Sequence, residues 1–353
     1  MPKTQSLDVR SEPSDALATE ISEMILRAGA VAVGVTSSSG FEFEMNFITR
    51  QKFAGLNDSM QFTYRNPYRS THIKTSYPYA ESIVVAALAY PHPAKGESNH
   101  VAGYARWDFY GELRSILEVA SERLHELGYR SHVVLDDNAL VDKAAARRAG
   151  LGWIGKNSLL LVPKVGGNVV LGSIVTNAAL KPTNRPVASR CGGCQRCQVA
   201  CPTGALDKPG VVDVSKCISW LLQREGPFPL ELRELVGIRI YGCDECQVAC
   251  PIGSNFKFGS SMKSESSDQG FGFSLHDLLS FSDEKLLQHC GKFYIPRRSA
   301  NHMRRNILLA LGNKEKLSSS ELDALSRYKM STDPVLKEQA VWSLAKHGAQ
   351  ERC

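Results

Sequence analysis

No stretch of this 353-residue chain approaches the roughly 20 consecutive apolar residues that a membrane-spanning helix needs. The opening segment, MPKTQSLDVRSEPSD, lacks the apolar centre of a secretory signal. A large excess of one sign of charge is lacking as well, since 42 Lys and Arg against 36 Asp and Glu give a formal net charge of +6 and an isoelectric point of about 8.7. Such a balance is compatible with an RNA partner without assigning one. Gly150, Gly152 and Gly155 have the spacing G-x-G-x-x-G, but they follow a helical segment rather than a strand. That order excludes the dinucleotide-binding fingerprint. The expectation is a cytoplasmic protein, in which thiols stay reduced and clustered cysteines indicate metal more than disulfides.

What is present fits two or three domains, with 43% hydrophobic residues to fill their cores. Residues 1–16 read as a disordered lead-in. Apolar positions at helical spacing over Ala18–Ala28 precede the strand-like AVAVGVTSS. Ser82–Tyr90 forms a second strand-like run, followed by an amphipathic helix over Asp108–Leu127 that Gly128 terminates. His132–Asp136 reads as a strand and Leu140–Ala149 as a helix. SLLLVP and NVVLGSIVT then supply two more strands around a turn at Lys164–Gly167. Strands alternating with helices predict an α/β (α+β) domain over 17–184, on which Gly150, Gly152 and Gly155 would let a bulky planar or phosphate-bearing group approach the backbone. A loop-rich module over 185–255 follows, and Ser254–Gly272 reads as a mobile Ser/Gly-rich connector. Over 273–353, three amphipathic helices with Ser and Asp-Pro starts suggest a helical, HEAT-like domain.

The chain has ten cysteines, and eight of them fall between Cys191 and Cys250. Cys191-x2-Cys194-x2-Cys197-x3-Cys201-Pro202 is the bacterial ferredoxin run, whose fourth cysteine serves the other of two clusters. Cys243-x2-Cys246-x3-Cys250-Pro251 repeats its second part, with Ile240 where another cysteine would stand. Cys217 is the obvious substitute. The spacing therefore predicts two 4Fe–4S clusters, one held by Cys191, Cys194, Cys197 and Cys250, the other by Cys201, Cys217, Cys243 and Cys246. Structural zinc is the rival, since paired C-x2-C elements also bind it. Zinc pairs do not require the x3-Cys-Pro tail, which occurs twice here. Cys290 and Cys353 fall outside any ligand spacing and read as ordinary thiols.

Several further motifs occur in a fixed order: YAR (Tyr104–Arg106), AARRAGLGWIGKNSLLL, LGSIVT, CGGCQRCQVACPTGAL, CISWLLQ, YGCDECQVACP and RRNILLALGN. Together with Asp136 they resemble the epoxyqueuosine reductases, iron–sulfur enzymes of tRNA queuosine synthesis that use cobalamin and are similar to the reductive dehalogenases. The resemblance implies that electrons from a flavodoxin- or ferredoxin-like donor pass through the clusters to cobalamin, and that Asp136 is the acid which protonates the epoxide oxygen. It also implies that Arg69, Asp136, Lys156, Asn157, Ser158, Ser219, Gln223 and Asp244 contact cobalamin, and that the enzyme is a monomer with a HEAT-like C-terminal domain. The signature D-x-H-x-x-G is absent, since Arg123 precedes His125 and Gly128 where an aspartate is required; this fits a cobalt without a protein histidine. An acid working near neutral pH needs burial or a like charge to hold its proton, and Asp137 adjoins Asp136. The plainer reading of Asp136 is an N-cap for the helix over Leu140–Ala149.

The chain also departs from the family. Asp108-Phe109-Tyr110 stands where a Tyr-His pair usually follows the aspartate, and Asn138-Ala139 where a Gly-Pro pair is usual. These changes keep two alternatives open: a dehalogenase-like cobalamin/iron–sulfur reductase of a small molecule, or a non-catalytic electron-transfer protein. For a tRNA partner, Arg297, Arg298, Arg304 and Arg305 with Phe293 and Tyr294 offer one basic, aromatic surface, and Lys143, Arg147 and Arg148 another. Solvated charge is the plain alternative for both.

Overall fold

A computed structural model describes residues 13–91, 100–183, 185–256 and 273–350. Most of the expected connector, the first twelve residues and Cys353 lie outside that range. Ser14 is ordered: its hydroxyl caps α1 (Asp15–Arg27) and its backbone pairs with Leu180. The lead-in is therefore shorter than 1–16.

Four strands form one antiparallel sheet in the order β1 (Ala32–Ser37), β2 (Ser82–Ala89), β6 (Val169–Thr176), β3 (Ser131–Val134). The central strand β2 reads SIVVAALA because it is buried on both faces, so no polar alternation is possible. Val84, Ala86 and Leu88 face α1 and α3 (Phe109–Glu126), meeting Ile21, Ile25, Leu113 and Leu117. Ile83, Val85 and Ala87 face the opposite layer, which contains Ala144, Ala145 and Ala146 of α4 (Asp142–Arg148). The alternating segments thus give the expected mixed α/β architecture, with antiparallel pairing. The segment SLLLVP does not join this sheet. Only Leu160–Leu161 (β5) is extended, and it pairs with Trp153–Ile154 (β4) in a separate hairpin.

The C-terminal helices α10 (Ala300–Gly312), α11 (Ser319–Lys329) and α12 (Pro334–Gln350) pack on one another, over α8 (Leu275–Ser280) and α9 (Asp283–His289). The expected start signals operate: Ser318 and Glu321 form a reciprocal capping box, and Asp333 accepts from the backbone of Val335 and Leu336. Helix α10 is buried on almost all sides, including Arg304 and Arg305, which are 8% and 1% exposed. Arg304 pairs with Asp283 at 2.6 Å. Arg305 donates to the carbonyls of Leu221, Arg224 and Gly226, at 3.1, 2.7 and 2.6 Å, and burial lowers its pKa to about 9. Arg305 joins the helical region to the cysteine module and Arg304 is bound within the helical region, so neither forms the surface expected of it. Phe293 is also buried, stacked on Tyr241 with ring centres 4.1 Å apart.

Arg305→Met is expected to leave these carbonyls unpaired and to lower stability by about 3 kcal/mol or more in chemical denaturation. Arg305→Lys should recover little of that loss, because an ammonium does not reproduce the planar fork.

Candidate functional site

The two short helices α5 (Arg196–Val199) and α7 (Glu245–Val248) lie against each other and carry Cys197 and Cys246. All eight cysteines of the module are free thiols in two neighbourhoods. Cys197 lies within the electrostatic reach of Cys250, Cys191 and Cys194, and Cys250 within that of Cys191 and Cys194. Cys246 is coupled in the same way to Cys243, Cys217 and Cys201. The structure therefore gathers the thiols four and four, with Cys217 brought in by the turn before α6 (Ile218–Leu221). The inner four are the more enclosed: burial pushes the Cys243 thiol up to about 11 and raises those of Cys217 and Cys246. Among the described residues, no three His, Cys, Asp or Glu side chains converge as one metal ion requires.

Asp136 stands past the end of β3, in a loop where it adopts φ +47°. It does not cap α4: the N-cap position is Val141, and Asp137 instead accepts from the backbone of Ala139 at 2.7 Å. Asp136 keeps contact with solvent, yet the surrounding protein penalises its charge and Asp137 repels it, so its carboxyl pKa is raised. Asp142, at the start of α4, is raised further by burial and by the charges of Asp136 and Asp137. One oxygen of Asp142 is fully buried without a hydrogen-bond partner, as is the side-chain oxygen of Asn138. Beside them, Lys143 loses basicity through desolvation while Asp142, Cys217 and Cys246 act in the opposite sense, and its ammonium donates to Ser158 O at 2.9 Å. Accessible groups so closely enclosed line a recess.

Tyrosines line the same recess. The Tyr110 hydroxyl is raised by burial and by Asp136 and Asp142, and Tyr241 is pushed up to about 12 by burial with Asp136 nearby. Tyr104 lies 6.2 Å from Tyr241, ring centre to ring centre. Carboxyl groups of raised pKa, tyrosine hydroxyls and a lysine beside the inner thiols are an arrangement able to deliver a proton.

The residues expected to contact cobalamin fall into three places. Lys156, Asn157 and Ser158 form the turn of the β4–β5 hairpin. Lys156 donates to the carbonyl of Cys194 at 2.8 Å, and Asn157 donates to that of Cys246 at 3.4 Å. Ser219 bonds to Tyr104, and the Gln223 amide donates to Ser219 O at 3.0 Å. Asp244 is buried with both oxygens engaged, by Gly103 N at 2.6 Å and by Gln247 at 3.3 Å. Arg69 stands apart, near Ser76 and Tyr77 on the Asp137 side.

Of the glycines expected to admit a ligand, Gly150 and Gly152 serve backbone packing instead, and Gly155 packs against the Asn157 and Leu161 side chains. A Cβ on Gly152 would lie 2.1 Å from Leu161 O, and one on Gly150 2.7 Å from Arg185 O. A second close approach had no sequence signal: a Cβ on Gly253 would lie 2.0 Å from Val165 O, and one on Gly166 2.3 Å from Ile252 O. Sequence reasoning also assigned no role to Asp142, Tyr104 or Tyr241, although the last two lie in motifs already singled out. For Asp142, the signal available was its place beside Lys143 at the start of a helix facing Asp136.

The second basic group is divided: Arg148 is half-buried, whereas Lys143 and Arg147 are exposed. Arg148 donates to Thr36, Ser37, Ser39 and Gly40 and lies 3.6 Å over the Phe41 ring, and Arg147 pairs with Glu44. Arg297, Arg298 and Tyr294 remain exposed.

Gly253→Ala is expected to destabilise the fold by about 2–3 kcal/mol, because its φ of +85° and its contact with Val165 O both reject a side chain. Gly210→Ala, at φ +75° with open space, should cost only about 1 kcal/mol. Thermal unfolding of the two variants separates these effects.

Residues 190–253 match the family described as a 4Fe-4S double cluster binding domain. The chain is 34% identical to the epoxyqueuosine reductase of Bacillus cereus, over 91% of this chain and 86% of that one. It is 32% identical to that of Escherichia coli, over 95% and 91%. A crystal structure of epoxyqueuosine reductase with an epoxyqueuosine-modified tRNA-Tyr stem loop superposes with a TM-score of 0.84 at 29% identity, covering 94% of this chain and 90% of that one. The Bacillus subtilis enzyme, with its catalytic loop swung out of the active site, superposes with a TM-score of 0.81 at 29% identity and the same coverage. With likeness of this extent in sequence and in fold, the chain belongs to the epoxyqueuosine reductase family.

Proposed function

We propose that this chain reduces the epoxide of epoxyqueuosine in tRNA to the cyclopentene of queuosine, consuming two electrons and two protons and releasing the oxygen as water. The observation that carries the reading is the recess itself: Lys143 lies in electrostatic reach of Asp142 on one side and of Cys217 and Cys246 on the other. Proton-holding carboxyls and the inner thiols therefore share one space. The division of labour follows the expected domains, with chemistry in 17–184, electron supply in 185–255 and helical support in 273–353.

The thiol groups Cys191, Cys194, Cys197, Cys250 and Cys201, Cys217, Cys243, Cys246 would each hold a 4Fe–4S cluster. Cobalamin, when bound, supplies a reduced cobalt able to attack carbon. Ser158, Ser219 and Gln223 are the residues to hold its amides. Lys156, Asn157 and Asp244 act by fixing the module in place, since their polar groups are already engaged within the protein. Arg69 lies on the Asp137 side, where the substrate would enter.

Opening an epoxide expels an alkoxide, so a proton must be ready at that oxygen. Asp136 is the donor: desolvation by the surrounding protein and the Asp137 carboxylate beside it raise its pKa above the ordinary carboxylate value. Tyr110, at the second position of the family's usual Tyr-His pair, faces Asp136 and Asp142 and would orient the acid. The exposed Arg297, Arg298 and Tyr294 are the remaining basic, aromatic surface for the RNA backbone. A flavodoxin- or ferredoxin-like protein supplies the electrons to a monomer.

The test is anaerobic reconstitution with iron, sulfide and cobalamin, followed by assay on tRNA carrying epoxyqueuosine. Bound cofactors without queuosine formation would overturn the substrate assignment. Asp136→Asn should keep iron and corrinoid but lose turnover by about 100-fold or more. In the unaltered enzyme, turnover should fall as pH rises through the elevated Asp136 pKa, because the acid form is lost. Cys217→Ala should lower the iron content by about half and spare the outer cluster's spectrum.

A further inference from the structure

The outer group of thiols lies beneath a surface unlike the rest of the molecule. Residues 185–206 contain three arginines, Arg185, Arg190 and Arg196, and no aspartate, glutamate or lysine. All three are exposed. Among the described residues, no carboxylate within salt-bridge distance pairs with any of them. This contrasts with Arg147, Arg148, Arg304 and Arg305, whose guanidinium groups are all engaged within the protein.

Arg196 borders an apolar centre, and Arg190 directly precedes Cys191 of the same cysteine loop. Val199 is 82% exposed and Val248 51% exposed, at the ends of the adjoining helices α5 and α7. Between them an open recess of about 570 Å³ is lined by Gly193, Gln195, Arg196, Val199, Ala200 and Ala249. Beside it, Gly192 and Gly193 leave open space where side chains would stand, so the backbone at Cys191 and Cys194 is approachable. Exposed valines gain nothing in water, and unpaired arginines repel one another. Both features are satisfied together by a partner with an apolar contact area inside an acidic ring.

We propose that this patch docks a small acidic electron-transfer protein, whose redox centre is exposed at an apolar edge and comes to rest over Val199 and Val248, against the outer thiol group. The inference rests on the reading that Cys191, Cys194, Cys197 and Cys250 hold a cluster reduced from outside. It adds where the donor binds and what selects it. The transfer is one electron per encounter: the donor is oxidised by one electron, the outer cluster is reduced by one, and no bond is made or broken. Two encounters supply one turnover. Charge steering makes such an encounter fast and dependent on salt.

The experiment uses reconstituted holoenzyme and reduced flavodoxin, following bleaching of the cluster absorbance by stopped flow without tRNA. It therefore reads donor docking whatever the substrate proves to be. Arg190→Glu/Arg196→Glu should slow reduction by flavodoxin at least tenfold and abolish its decline with added salt, while reduction by dithionite is unchanged. Val199→Glu, two residues from the nearest cysteine on either side, should slow flavodoxin alone in the same way, with full iron content. An unchanged flavodoxin rate in the charge-reversed protein with intact clusters would overturn the proposal. So would equal slowing with both reductants in Val199→Glu. Weakened binding of a tRNA stem loop with an unaltered flavodoxin rate would overturn it too, and would assign the arginines to RNA.

Discussion

The turn of the β4–β5 hairpin is the contact on which the arrangement of the site depends. Lys156 and Asn157 reach from the α/β layer to the carbonyls of Cys194 and Cys246, one in each thiol group. The Lys156 carbonyl in turn accepts from Gly210 N at 2.8 Å. A hydrogen bond contributes only about 1 kcal/mol, and somewhat more when the donor is charged. Their value here is positional, because three bonds fix one turn against two cysteine loops that have little core of their own. Gly166 and Gly253 add a backbone-to-backbone approach that no side chain permits. The Tyr90 hydroxyl on Gln247 and the Gly103 amide on Asp244 complete the joint from the other side. Electron transfer is steeply sensitive to separation, so a joint made of short polar contacts suits the task better than a sliding apolar interface.

That joint also shapes the electrostatics of the recess. Asp136, Asp137 and Asp142 are brought together against their mutual repulsion, and burial sharpens it. Three ionised carboxylates in such a place would be costly, and the protein avoids this by holding protons there. Lys143 offsets part of the remaining charge but is itself tethered to Ser158 O, on the same hairpin turn. The turn that holds the thiols in place thus also holds the cation that balances the carboxyl groups. Disturbing it would alter the proton supply as well as the electron path.

The cysteine grouping was legible in the sequence because ligand spacing is local: each C-x2-C turn and x3-Cys-Pro tail is set by a few neighbouring residues. Cys217 was legible only by elimination, and the turn before α6 supplies it. Strand β2 was legible because burial on both faces leaves a continuous apolar run. Arg304 and Arg305 were misread for the opposite reason: an arginine satisfied by distant backbone carbonyls is written no differently from one on a surface. Leu160 and Leu161 are as apolar as a central strand, yet they pair with Trp153 and Ile154, since sequence pattern reports burial and not partner. The glycines at 150 and 152 have the composition of a ligand loop, but the atoms they meet are backbone.

The two ends of the cysteine module differ in a way that follows from its sequence. Residues 185–206 carry only positive charge and open onto solvent, whereas Cys217, Cys243 and Cys246 are more enclosed, with Lys143 and buried Asp244 in reach of Cys246. A reduced cluster gains negative charge, and enclosure makes that gain more costly unless a cation stands nearby. At the outer end, water and Lys156 beside Cys191 would supply the compensation. At the inner end the cations in reach of the thiols are Lys143 and Arg239. A cluster reduced at the inner thiols would therefore favour proton uptake at Asp136 and Asp142, whose pKa values are already raised. The polarity of the module, exposed and basic outside, enclosed and proton-holding inside, couples the two supplies without any moving part.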